Sequence, residues 1–342
     1  MDKIIGIDLA KQYFQVHVAN HRGEVIERRK LTRDKVRTYM SAQQPAVVVM
    51  EACGSAHYWS REFAAMGHSV KLIAPQYVKA FVKRQKNDAA DAEAIVIASL
   101  SPGMRFVTPK GADQQAKAVL FRARERLVHH RTELTNALRA VLYEYGYIIA
   151  QGLRNVARIQ EIVDAPNSDL PPMVREECRD MLELIMRTTE GINRKAEKIS
   201  EHSKSTDVSR RLQTMPGVGP VLAMAIEAFA PPMEFFESGR SFAAWLGLVP
   251  RQFSSGGKER LGKVSKAGQG DIRRLLIIGA MSRLNWLGKR SIVEGSWLSR
   301  LVEKGKPKML VAIALANKMA RQVWAMLTKQ EDYRNPMPVL TA

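Results

Sequence analysis

Near Asp113 the hydrophobic period of this chain changes, and that change constrains the fold more than any other feature of the sequence. Before it, apolar residues alternate with polar ones. Residues 3–9, 12–19 and 24–31 read as three short strands, with a turn at Asn20, His21, Arg22 and Gly23 between the last two. A helix over Arg33 to Gln43, a buried strand from Ala46 to Met50, a helix after Ser55, a strand from Ser69 to Ile73 and helices from Pro75 onward follow. The order βββαβαβα predicts a mixed sheet with helices on both faces. After Asp113, Leu120, Leu127 and Leu134 recur every seven residues, flanked by Val128, Leu138, Val141 and Leu142, which is a coiled-coil seam. A second helical run from Met181 to His202 can pair with it inside the chain as a hairpin or between protomers; the segment Asp164 to Pro172 is the connecting loop. A third, mainly helical unit begins near Val208. The expected division is 1–110, 111–205 and 206–342.

Charge narrows the function. The 342 residues carry 53 Lys and Arg against 34 Asp and Glu, a net +19. Such an excess repels itself unless a polyanion neutralises it, and basic side chains gain free energy by releasing counterions from nucleic-acid phosphates. A ribosome-associated protein or an ordinary basic enzyme is the alternative. Between Arg251 and Ala342 there are 18 basic and 6 acidic residues, so much of the polyanion-binding surface is expected there. Cys53 and Cys178 match no metal-ligand spacing and no disulfide framework. The opening MDKIIGIDLAKQ holds Asp8 inside its apolar stretch, and no later run is apolar enough for a bilayer. The expectation is a cytoplasmic protein with neither export signal nor membrane anchor.

Four carboxylates sit at suggestive places. Asp8 closes the first strand, Glu51 follows the buried strand AVVVM, and Asp88 and Asp91 open a helix in NDAADAEAI. Their spacing of three puts Asp88 and Asp91 on one helix face, and a sheet that joins strands one and four puts Asp8 beside Glu51. Carboxylates gathered in this way repel unless a divalent cation neutralises them, and hard oxygen ligands select Mg²⁺ or Mn²⁺. Two such ions, roughly 4 Å apart, stabilise the entering and leaving oxygens of a phosphodiester transfer. Asp88 and Asp91 also suit a helix's first turn for capping alone. Asp8 inside an apolar strand is harder to explain that way. Glu93 and Asp113 read as surface charges.

Two further motifs lie in the basic half. PGVGP (Pro216 to Pro220) reads as the turn of a helix-hairpin-helix, in which Gly217 and Gly219 let backbone N–H groups approach a phosphate; a tight turn between packed helices is the alternative. The stretch GLVPRQFSSGGKERLGKVSKAGQGDIRRLL, from Gly247, combines paired serines with glycines and cations. Ser254 and Ser255 precede Gly256 and Gly257, a flexible and electropositive setting for a serine nucleophile at phosphorus. A phosphate-binding loop without catalysis fits the same residues. Arg251, Lys258, Arg260, Lys263, Lys266, Arg273 and Arg274 are candidate phosphate contacts, as are Lys11, Arg84 and Lys86 near the carboxylates in sequence.

Taken in order, GIDLAK, VMEACG, KNDAADAEAI, PGVGP and the serine stretch make the chain resemble, over nearly its full length, the DEDD transposases of bacterial insertion sequences, relatives of Piv-type DNA invertases known as bridge-RNA-guided recombinases. The resemblance implies a RuvC-like (RNase H-like) N-terminal domain, a coiled coil and a C-terminal transposase domain. It implies that Asp8, Glu51, Asp88 and Asp91 hold Mg²⁺ and that the nucleophile falls at Ser255, with Ser254 in reserve. Attack gives a covalent phosphoserine, followed by strand exchange and religation. It also implies donor and target DNA, a noncoding guide RNA and a homo-oligomer, dimer or tetramer, in which one protomer's carboxylates face another's serine. The rival readings are a metal-dependent junction-resolving nuclease, in which water attacks, and a noncatalytic nucleic-acid-binding protein.

Overall fold

The computed structural model describes residues 3–82, 88–254, 256–287 and 296–334, with the backbone alone at 88, 89 and 287. The chain divides into two compact units, residues 1–113 and 114–342.

The first unit is a six-stranded mixed sheet in the order β3-β2-β1-β4-β5-β6. Strands β1 (Lys3–Leu9), β2 (Tyr13–Asn20) and β3 (Val25–Thr32) form the expected antiparallel meander. β4 (Val47–Glu51) lies parallel to β1, and β5 (Ser69–Ile73) parallel to β4. The two-residue β6 (Phe106–Val107), too short to leave a pattern in the sequence, closes the far edge antiparallel to β5. Alternation along each strand then builds two cores. Ile5, Ile7, Val48 and Met50 bury against Val36 and Met40 of α1 (Arg33–Ser41) and Trp59 and Phe63 of α2 (Ala56–Ala65). On the opposite face Ile4, Val47 and Val49 meet Val78 of α3 (Pro75–Val78) and Ala94, Ile95 and Ala98 of α4 (Asp88–Leu100).

The second unit begins with the long helices. α5 (Ala112–Glu144) and α7 (Pro172–Ser205), with α6 (Val156–Asp164) between them, pair antiparallel within the one chain. Arg131 donates to the Thr189 hydroxyl at 3.3 Å, and Leu127 packs over Gly191, where an added Cβ would lie 3.1 Å away. The buried seam runs through Phe121, Glu125, Thr135, Leu138 and Leu142 on α5, so the heptad leucines 120, 127 and 134 form its half-buried flank. Ala118, Phe121 and Ile199 of this hairpin join the core of the C-terminal helices. Those helices are α8 (Asp207–Gln213), α9 (Pro220–Phe229), α10 (Gly239–Trp245), α11 (Gly270–Leu287), α12 (Trp297–Glu303) and α13 (Lys308–Lys329). A short hairpin of β7 (Pro250–Gln252) and β8 (Leu261–Val264) interrupts them. Among the described residues no helix is long and apolar enough to cross a membrane.

Candidate active site

The register of the parallel pair decides where Asp8 and Glu51 meet. Ile4 pairs with Val47 and Ile7 with Met50, so Asp8 and Glu51 occupy the next rung, on strands about 4.8 Å apart. Alternation also gives them a common face: Asp8 follows Ile4 and Gly6, Glu51 follows Val47 and Val49, and that is the face covered by α4. Both carboxylates are half-buried. The thiol of Cys53 registers them together, because burial, then Glu51 and Asp8, push its pKa up.

Helix α4 brings Asp91 to the same edge. A Cβ at Gly6 would lie 2.5 Å from Val96 Cγ2 and 2.7 Å from the Ala92 carbonyl oxygen, so the helix backbone rests on the strand. At its other end Leu100 lies beside Gly23 in the β2–β3 turn. That turn adjoins the start of β1, where Lys3 pairs with Asn20, so α4 runs against β1 and begins at the edge where β1 and β4 end. Half-buried Asp91 precedes Ala92 there, and Asp88 is the first residue of the helix; its side chain lies outside the described residues. Among the described residues no three His, Cys, Asp or Glu side chains converge closely enough to hold a metal. Asp8, Glu51 and Asp91 are described, so the expected convergence is met only by Asp8 and Glu51 on their shared rung, with Asp91 at the same edge but not closed onto them; the donors fit a hard divalent cation in kind, and Asp88 falls outside that search. Lys11 is exposed in the β1–β2 turn at this edge, while Arg84 and Lys86 lie outside the described residues.

In the second unit the serine stretch is a loop on a rigid base. Gly247 (φ 70°) and Gly268 (φ 70°) touch backbone that leaves no room for a Cβ: Ala267 O would lie 2.2 Å from one and Trp245 O 1.8 Å from the other. Arg273 donates to Leu246 O at 2.8 Å and Ala267 O at 2.9 Å, and Asn317 to Leu248 O at 3.1 Å. Above this base β7 and β8 carry exposed Ser254, whose hydroxyl accepts from the Arg260 N–H at 3.4 Å, then Gly256 (φ 58°) and Gly257 (φ 76°) in left-handed conformation. Ser255 lies outside the described residues. Lys258, Arg260, Lys263 and Lys266 are exposed along the loop, and Arg251 reaches Ser265 O at 3.4 Å. Arg273 and Arg274, by contrast, have partners inside the protein: Arg273 the two carbonyls above, and Arg274 the buried Glu125, which also accepts from Arg124.

The PGVGP turn joins α8 to α9 as a helical hairpin. Gly217 (φ 91°) packs against α11, where an added Cβ would meet Gly279 O at 2.7 Å; Gly219, the residue before α9, has open space around it. The first glycine therefore serves packing, and only the second presents backbone outward. Gly217, Gly219, Leu275, Ile278 and Gly279 line an adjoining depression of about 440 Å³.

Comparison with known proteins adds what geometry leaves open. Residues 5–147 match a DEDD family described as a transposase, and residues 209–292 match the family described as "Transposase IS116/IS110/IS902 family". A probable family 20 transposase of Pseudomonas aeruginosa is 43% identical over 332 residues, covering 96% of this chain and 98% of that protein. The chain belongs to the IS116/IS110/IS902 family of transposases. This transposase is also 37% identical to the transposase for insertion sequence element IS1111A of Coxiella burnetii, over 97% of its own length and 91% of the relative's. It is 35% identical to the transposase for insertion sequence element IS1328 of Yersinia enterocolitica, over 95% and 97%. It is thus an insertion-sequence transposase, an enzyme acting on DNA.

Sequence reasoning passed over two structural features of the transposase. Gly6, a glycine inside an apolar strand, is the ordinary signal of a close backbone approach. Glu227 of α9 had no signal: it reads as a helix surface charge, yet Lys117 Nζ donates to it at 2.7 Å and the Thr206 hydroxyl at 2.7 Å, with Ser209 as a third donor.

Proposed function

We propose that this transposase breaks and rejoins DNA through a covalent serine–DNA intermediate, with Ser255 as nucleophile and Asp8, Glu51, Asp88 and Asp91 as the acidic centre. The supporting observation is that the strand register carries Asp8 and Glu51 to one rung, on the face where α4 begins. The serine oxygen bonds to phosphorus as one bridging P–O bond breaks; the hydroxyl proton leaves and the departing strand oxygen takes one up. Religation reverses this at a new strand end. One phosphodiester is exchanged for another, DNA–DNA for serine–DNA and back, so no external energy source is needed. Divalent cations held by the four carboxylates would supply charge neutralisation and polarise the phosphoryl oxygens. Lys258, Arg260, Lys263 and Lys266 neutralise phosphates around the loop, and its left-handed glycines let backbone approach them. Base pairing by a noncoding RNA would choose the sequences, with the +19 charge gripping its backbone. A symmetric oligomer would supply paired sites.

The test is a denaturing gel of the protein with labelled DNA carrying the element's ends, its flanking RNA and Mg²⁺. A covalent adduct should form, persist in Ser254→Ala and vanish in Ser255→Ala and in Asp8→Asn. Free cut ends from an active Ser255→Ala protein would show that water is the nucleophile.

A further inference from the structure

The rung that holds the carboxylates continues across the sheet. Asp8 pairs with Gln15 and Gln15 with Lys30, so Glu51, Asp8, Gln15 and Lys30 stand in one row on the α4 face, from β4 to the edge strand β3. Two strand spacings put Lys30 about 10 Å from Asp8. Tyr13 lies two residues before Gln15, hence on the same face, and is 44% exposed. Lys30 Nζ stands 4.7 Å from the centre of its ring, which holds the ammonium by a cation–π contact. The neighbouring cations of β3 are neutralised, Arg28 by Glu93 of α4 at 3.0 Å and Arg29 by Glu27. Among the described residues no carboxylate lies within ion-pair distance of Lys30.

We propose that Tyr13 and Lys30 form a shelf that steers a single strand of DNA onto the carboxylate edge, Lys30 taking a phosphate and the exposed ring of Tyr13 a base. A positive charge with an aromatic surface, set on a rigid sheet, is the chemistry that holds single strands without reading their sequence. The 10 Å span covers about three phosphates at the ~3.4 Å rise of a stacked strand. The inference rests on the reading of Asp8 and Glu51 as the acidic centre.

The test uses the full-length protein in EDTA with a fluorescein-labelled 20-nucleotide oligothymidylate containing one 4-thiothymidine. Ultraviolet crosslinking followed by mass spectrometry should place the adduct at Tyr13. Lys30→Ala should cut its yield and lower the slope of log affinity against log salt by about 0.7, the value of one phosphate contact on a single strand. Lys30→Arg should restore the slope. Tyr13→Leu should weaken binding about five-fold or more with the slope unchanged, and Tyr13→Phe should bind as wild type. Lys35→Ala, on the exposed side of α1, should leave the crosslink at Tyr13 intact. Asp8→Asn should strengthen binding in EDTA, because it removes a negative charge from the strand's path, and should do so less in Lys30→Ala. Crosslinks that avoid Tyr13, equal effects of Lys30→Ala and Lys35→Ala, or preferential crosslinking of oligouridylate would each overturn the shelf. An Asp8→Asn protein that still cuts DNA would instead overturn the acidic centre, leaving the crosslink to judge the shelf.

Discussion

Replacing Gly6 with alanine tests how the acidic edge is assembled. The new methyl would sit 2.5 Å from Val96 Cγ2 and 2.7 Å from Ala92 O. The valine can change rotamer, but the carbonyl belongs to the helix backbone. To regain an ordinary contact of 3.4 Å, α4 must lift from β1 by about 0.7 Å at the turn next to Asp91. Overpacking of this kind costs about 1–3 kcal/mol. A catalytic group misplaced by about 1 Å loses on the order of 100-fold in rate. Gly6→Ala should therefore lower the urea midpoint of the first unit and cut the DNA cleavage rate between ten- and a hundred-fold. Affinity for DNA in EDTA should be preserved, because no cation of the binding surfaces moves. Gly111→Ala, where a Cβ meets nothing within 4 Å, is the control. Lost stability with an unchanged cleavage rate would refute the idea that α4 positions a reacting group; no loss of either would refute its seating on β1.

Two other perturbations separate packing from function. Burial raises the Glu227 pKa, but hydrogen bonds from Lys117, Ser209 and Thr206 outweigh that and hold it below its ordinary 4.5. A depressed folded-state value stabilises the protein above the unfolded pKa, and the contribution fades as pH falls through the folded one. Glu227→Gln should cost about 1–3 kcal/mol at neutral pH and flatten the loss of stability below pH 4.5, measured by urea titrations at several pH values. Gly217→Ala, with positive φ and Gly279 O in the way, should unfold the helical hairpin or shift it off α11. Gly219→Ala should fold normally by circular dichroism and weaken DNA binding if that turn meets a phosphate.

The legible part of the fold was what local periodicity carries. The strands at 3–9 and 69–73 match the expected bounds, because each is a short run rich in aliphatic and β-branched residues and the second stops at Ala74 and Pro75, where α3 begins. The two-residue β6 left no such mark. Carboxylates at strand ends were legible as candidates because an acid next to an apolar run is costly without a partner. Arg273 and Arg274 were legible only as charges; their partners, two carbonyls and Glu125, are remote in sequence or hidden by helix geometry.

The sequence alone determined the order of the first five strands and the helices between them, the excess of positive charge and the candidate acidic residues, since these follow from side-chain periodicity and composition. Tertiary structure decided which of them meet. It paired β1 with β4 so that Asp8 and Glu51 share a rung, laid α4 on Gly6, and folded α5 against α7 within one chain. The physical reason is that strand register and helix seating are fixed by contacts between residues distant along the chain, and one residue of slip between β1 and β4 would leave the two carboxylates on opposite faces of the sheet.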